Sequence, residues 1–367
     1  MRSQHDKAPT ADCETEADCS YFGQCVAGRC VCRHQFAGGR CEAFNFAPLD
    51  PKTGVGLRTV DSSTGEQTSS WGGSVLLDEA GTYHMFAAEM TNSVGIKSWR
   101  SNSRVVHATA ASGNWNFTRQ DVAQPVFAHE PTVSRAPTGE WVMFFTTNAG
   151  EDPGSQCSLP HTCGENGSSC PWDSNAVQCP CGKHCAPLST RMSWARKPEG
   201  PWSKPVLVPS KGKGDTNLAC IIRSNSSLVC LGRPGLGMLR AGHWKNLSDY
   251  KWHPVHYGVG EDPMLWIDWS ETGDHEVLHA VLHGGGWGDP FGHHYWSIDG
   301  GWHWSGNNDK VYTNRVEVVG QSPKFLSRRE RPHVVLNAQN QPVALTTGVT
   351  EAWPCCSTSL TVSLVFF

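Results

Sequence analysis

Residues 261–284 read EDPMLWIDWSETGDHEVLHAVLHG: two adjacent acids, a proline, an apolar run, a polar turn and a second apolar run. Short apolar runs bounded by Gly, Asp, Ser and Thr are the pattern of paired strands rather than of a helix. The same template occurs four more times. It is WGGSVLLDEAGTYHMFAA from Trp71, HEPTVSRAPTGEWVMFFT from His129, GDTNLACIIRSNSSLVCLG from Gly214 and ERPHVVLNAQNQPVALTTG from Glu330. Most copies are followed by a third strand and a Trp-bearing fourth, as in HHYWSIDGGWHWS from His293. Four strands repeated five times are the signature of a β-propeller, so the expected fold is all-β, a five-bladed propeller over residues 44–367. The tail STSLTVSLVFF, residues 357–367, reads as a strand that closes the ring with help from residues 44–70.

Aligning the five inner strands places Gly72, Glu130, Asp215, Asp262 and Arg331 at one position, just ahead of each strand. Inner strands converge on a central channel, so these residues ring one mouth of it. Gathered carboxylates repel one another and lose hydration, a cost better explained by function than by folding. The prolines at 131, 263 and 332 need no such explanation, because the first residue of a strand requires no ladder donor. Alternate residues of a strand face opposite ways, so only one of Glu261 and Asp262 is expected to reach the mouth, and the alignment favours Asp262.

The setting is bounded by composition. Among 367 residues, 30 Lys and Arg against 34 Asp and Glu leave a net charge of -4, with no basic stripe for a nucleic acid. No apolar run approaches the roughly 18–20 residues of a membrane span, so no membrane insertion is expected. Sixteen cysteines and four N-x-[ST] sequons, at Asn116, Asn166, Asn225 and Asn246, point to an oxidising secretory compartment and a secreted glycoprotein. The opening MRSQHDKAPTAD lacks a hydrophobic signal core, as a mature or trimmed form would.

Two cysteine blocks stand out. CETEADCSYFGQCVAGRCVCRHQFAGGRC, residues 13–41, resembles an epidermal growth factor-like module, which gives a first domain of residues 1–43. The resemblance implies pairs Cys13–Cys25, Cys19–Cys30 and Cys32–Cys41, where spacing alone allows fifteen connectivities. It also suggests contact with an extracellular protein. Gln35 stands where that module usually carries Gly, and no calcium-binding pattern of Asp and Asn is present. The second block, residues 157–185, with His161 and His184, is read as three disulfides in a loop walling the mouth rather than as a zinc site. Cys220 and Cys230 lie in paired strands and are expected to bridge them.

The motifs HEPTV, EDPMLW and ERPHVV, each followed by a turn and a second strand, resemble the five-bladed propellers of glycoside hydrolase family 43. That likeness implies an oligosaccharide or polysaccharide substrate, hydrolysed with inversion by a general acid and a general base. Such chemistry needs one carboxyl protonated and another ionised, their pKa values separated by their surroundings. Carried onto this chain, Glu130 and Asp262 are the principal catalytic residues, Asp215 the third acid and Arg331 a substrate clamp. The chain departs from the family in the first blade, where Gly72 replaces the usual aspartate base. Glu89 is one replacement, and loss of activity is the other outcome.

Trp71, Glu89, Glu261, His283 and Trp287 complete the expected substrate-binding set. Trp287 lies in the glycine-rich loop 281–296 and could stack on a sugar face. Trp115, Trp202, Trp252 and Trp304 are read as blade packing. No cofactor is required. Calcium is carried as an option near His283, though no D-x-D-x-D-G loop exists and calcium takes six to eight oxygens. Two other classes stay open. One is a non-catalytic glycan-binding propeller. The other is a polysaccharide lyase using Arg328, Arg329, Arg331 and His333 against a uronate.

Overall fold

The computed structural model describes residues 13–54, 56–57, 68–91, 96, 99, 103–111, 115–148, 188–209, 216–233, 235–284, 289–350 and 360–365. Asp215, Trp287, Asn166, the 157–185 cysteine block, and Cys355 with Cys356 lie outside these residues.

Blade one contains Ser69–Leu77, Thr82–Met90, Ser103–Ala111 and Asn116–Gln124. Blade two contains His129–Arg135, Trp141–Asn148, Leu188–Ala195 and Val206–Leu207, and blade three Ala219–Ile222, Leu228–Leu231, Met238–Ala241 and Lys251–His253. Blade four contains Glu261–Trp269, Glu276–His283, Gly292–Ser297 and Ser305–Tyr312. Within each blade, consecutive strands pair antiparallel.

Blade five is assembled from both ends of the chain: Arg328–Leu336, Pro342–Thr350 and Leu360–Val365 are joined by the short strand Gly56–Leu57. That strand pairs Leu57 with Thr361 and runs parallel to Asn116 and Phe117 of blade one. The two blades therefore merge into one eight-stranded sheet, so among the described residues four large sheets contain five four-stranded units.

The cores confirm five seams. Apolar clusters join blades one and two through Phe86 and Trp141, two and three through Phe144 and Leu228, and three and four through Leu231 and Leu278. Met264 and Val334 join blades four and five, and Val335 and Val106 join five and one. Trp115, Trp202, Trp252 and Trp304 all pack into these seams.

Inner strands present an unpaired edge, a liability that side chains here offset. Thr132 and Ser134 donate to the Leu218 and Cys220 carbonyls, and Thr346 donates to that of Gly73. An axial cavity of about 580 Å³ remains between the strands, lined by Ser74, Thr132, Ser134, Ile221, Trp266 and His333 among others.

The N-terminal residues form two small hairpins held by Cys13–Cys25, Cys19–Cys30 and Cys32–Cys41, while Cys220–Cys230 crosses blade three. Phe22, Phe36 and Phe44 bury themselves in the core shared by blades four and five. Phe22 stacks on His294 at 4.1 Å and His279 at 4.9 Å, and Arg33 pairs with Asp268 at 2.6 Å.

Candidate functional site

Near the start of each inner strand stands one residue in the left-handed backbone region: Gly72 at φ +58°, Glu130 at +55°, Asn217 at +43°, Asp262 at +55° and Arg331 at +53°. In blades one, two, four and five this residue falls within a break in pairing register, where one extra residue is accommodated as a bulge. Non-glycine residues rarely adopt this conformation, and each such residue costs of order 1–3 kcal/mol. Four of them around one axis are a concentration of strain at one place, the mouth of the channel.

The alignment needs one correction. In blade three the equivalent position is Asn217, not Asp215, three residues before the Cys220 that matches Val75, Val133, Leu265 and Val334. Counting back from the first core residue, rather than matching acid to acid, would have found it.

Arg331 organises the ring. Its Nη1 lies 3.1 Å from Asp262 Oδ1 and 3.6 Å from Glu130 Oε2, and its backbone N–H donates to Asp262 Oδ2 at 3.3 Å. Asn217 Nδ2 donates to Asp262 Oδ1 at 2.6 Å. A Cβ at Gly72 would stand 2.6 Å from Arg331 Cβ, so the arginine stem fills the space that a first-blade acid would need. Burial, the largest single influence, pushes the Asp262 carboxyl up, but the charge and hydrogen bond of Arg331, joined by His283 and Arg233, together outweigh it and hold the group below its usual value. Asp262 is thus an ionised partner of Arg331. Glu130 has His129 beside it, whose Nδ1 meets Ser103 Oγ at 2.7 Å and whose ring stacks on Trp99 at 4.7 Å. Burial lowers His129 to about 3, which leaves it neutral.

Glu261 behaves oppositely. Burial and the adjacent Asp262 charge raise it to about 7, although Arg233 lies 2.6 Å away. Strand alternation had suggested that only one of these neighbours reaches the mouth. The positive φ at Asp262 breaks the alternation, and carboxylate oxygens of Glu261 and Asp262 lie within 4.8 Å of each other and of a His283 nitrogen.

His283 is fully buried, its Nε2 donating to the Asp289 carbonyl at 2.5 Å and its Nδ1 standing 3.7 Å from Glu261. The three groups supply two carboxylates and one nitrogen, where calcium takes six to eight oxygens, and Asp262 already accepts from Arg331 and Asn217. They do not by themselves fit calcium.

Other residues named from sequence serve elsewhere. Glu89 is fully buried between Arg104 at 2.5 Å and Arg119 at 3.1 Å, an ion-paired support of blade one rather than a free base. Trp71 is buried with Arg328 over its ring at 5.1 Å, so it is not an open stacking face. The arginines of blade five do not gather on one ligand. Arg328 is bidentate to Glu330 at 2.7 and 2.8 Å, and Arg329 lies between Phe46 and Tyr312. His333 meets the Val75 carbonyl at 3.1 Å. Sequence reasoning missed Asn217, Arg233, Glu330 and His129; the last three directly neighbour or face named residues, but only contacts reveal their pairing.

Comparison by sequence matches no known family and finds no curated relative. Comparison by fold finds several. A family 117 glycoside hydrolase from the marine bacterium Zobellia galactanivorans aligns with a TM-score of 0.52 at 14% identity, over 88% of this chain and 90% of that one. A family 43 β-xylosidase/α-arabinofuranosidase from a compost microbial metagenome, solved with xylotriose in a calcium-free form, gives 0.52 at 9% identity, covering 88% and 94%. A family 43 protein of Bacillus licheniformis gives 0.51 at 14% identity, over 81% of this chain but only 53% of that one, so this chain matches about half its length. At such identities the likeness establishes the propeller fold.

Proposed function

We propose that this protein is a secreted carbohydrate-active propeller, a glycoside hydrolase that binds an oligosaccharide at the mouth of its channel. One observation carries the reading: Glu261 and Asp262 are neighbours whose surroundings push their pKa values apart, Glu261 up to about 7 and Asp262 down. Such a split is how one site keeps a proton donor and an ionised carboxylate at the same pH. Glu261 is the general acid, giving its proton to the leaving glycosidic oxygen. Glu130, whose side chain is more accessible than that of Asp262, is the opposing carboxylate that activates water or meets the anomeric carbon. Asp262 and Arg331 hold the charge balance, and Arg331 also faces substrate hydroxyls. Propellers of the same fold include an exo-β-1,3-galactanase of Phanerochaete chrysosporium solved with β-1,3-galactotriose, which supports a glycan as the ligand class.

Residues 1–43 form the epidermal growth factor-like module in this reading, and 44–367 the propeller. The module's exposed Val26 and Val31 are available to an extracellular partner, whereas Phe22 is committed to the propeller.

The test is turnover of arabino-, xylo-, galacto- and fructo-oligosaccharides by wild type and by Glu261→Gln. The variant should lose turnover by about 10²-fold or more while its affinity for the same sugar stays within a few-fold. A second reading has its own support: Arg331 ties up Glu130 and Asp262, and Gly72 removes the first-blade base. Wild type that binds a glycan and never turns it over establishes that reading, a non-catalytic glycan-binding propeller, and overturns the first.

A further inference from the structure

We propose that Arg329 and Tyr312 hold a small monovalent anion of the halide type, buried where blade five meets blade four and the segment leading from the N-terminal module. Arg329 is 1% exposed and Tyr312 is 2% exposed. Arg329 Nη1 donates to the Thr313 carbonyl at 2.6 Å. Its Nε and Nη2, which form the side-on edge of the guanidinium, have no acceptor, and neither has the Tyr312 hydroxyl as a donor. Three buried donors are therefore left over on two side chains that touch each other, the Arg329 guanidinium lying over the Tyr312 ring.

No carboxylate among the described residues answers this charge. Glu330, the next residue, spends both oxygens on Arg328, and Glu317 pairs with Arg315 at 2.6 Å. Burial lowers the Arg329 guanidinium to about 10, which still leaves it protonated at neutral pH. An uncompensated ion in an interior is strongly unfavourable, and the usual remedies are a counter-ion or neutralisation.

The donor set selects the anion. Two parallel N–H groups on one guanidinium edge suit a single spherical acceptor or one edge of an oxyanion. Apolar groups surround them: the Tyr312 ring lies 4.7 Å and the Phe46 ring 5.3 Å from the guanidinium carbon, and Phe46 packs into Val316, Val318, Leu326 and Val349. Desolvating a sulfate or phosphate there would cost far more than desolvating chloride. Because Phe46 belongs to the segment joining the N-terminal module to the propeller, the ion would also secure that joint.

Bromide is the probe. Crystals of the full chain soaked in sodium bromide should show an anomalous peak within hydrogen-bonding reach of Arg329 Nε and Nη2. Thermal unfolding of wild type in sodium chloride or bromide, against sodium gluconate at equal ionic strength, should be a few degrees higher in halide. Tyr312→Phe should shrink that difference and Arg329→Gln should abolish it. An ordered water or no peak beside Arg329 overturns the proposal. So does a halide response that Tyr312→Phe leaves unchanged, a comparison that survives even if Arg329→Gln does not fold.

Discussion

Replacing Arg331 by Met removes the charge while keeping an unbranched stem of similar length against Gly72, so the change isolates electrostatics. Both Arg and Met carry the same left-handed backbone strain at φ +53°, which therefore cancels. Lost are the contacts at 3.1 Å to Asp262 and 3.6 Å to Glu130, while the backbone N–H and Asn217 still donate to Asp262. Deleting one partner of a buried ion pair typically costs about 3–5 kcal/mol, and the remaining donors hold the estimate within that range.

The pH dependence follows in sign. Asp262 sits below its usual value in the fold, so its ionisation stabilises wild type above the unfolded carboxyl value of about 4 and stops doing so as pH falls through the folded value. Without Arg331, burial dominates and raises Asp262, so its ionisation opposes folding. The gap between the proteins should therefore be widest at neutral pH and narrow towards about pH 4. Urea unfolding at both pH values measures it. Because the pair is buried, added salt should change the gap little. A gap at neutral pH below about 1 kcal/mol, the worth of an exposed pair, would refute the reasoning, as would one that fails to shrink on acidification.

Glu261 should show the opposite dependence. Raised in the fold to about 7 from 4.5, it contributes stability that is complete below the unfolded value and lost as pH rises through the folded one, up to about 3 kcal/mol. Glu261→Gln should flatten this part of the stability profile, and a wild type that gains stability over that interval would contradict the assignment. Gly72→Ala places a Cβ 2.6 Å from Arg331 Cβ at φ +58°, and should lower stability by about 1–3 kcal/mol in calorimetry. Glu89→Gln leaves Arg104 and Arg119 facing each other in blade one, so the melting temperature should drop sharply while turnover per folded molecule is retained. Phe22→Ala should cost about 3–5 kcal/mol of local packing against His279, His294 and Trp266, seen as faster tryptic cleavage of the N-terminal hairpins.

Much of the architecture was legible in the chain because its signal is local and repeated. Period-two apolar runs, turn residues between them and a tryptophan late in most blades locate the strands, and five copies identify a closed ring. The bulge position was legible where a proline follows it, at 131, 263 and 332. In blade three no proline marks it, so acid was matched to acid and Asn217 was overlooked. The pairing of Glu261 with Asp262 was hidden for a related reason: alternation holds only for regular strand, and a single left-handed residue cancels it.

The sequence by itself thus determined the repeat, the strand content, the disulfide-rich start and the ring position in four of the five inner strands. Tertiary structure alone decided what those residues do to one another. Arg331 fills the space beside Gly72 and neutralises Asp262, Arg104 and Arg119 occupy Glu89, and Glu261 is left raised beside a charge. These outcomes depend on distances between residues as far apart as 130, 262 and 331, set only when the ring closes. Coulomb energy and desolvation vary with those distances and with burial, and neither quantity is carried by the local pattern of a strand.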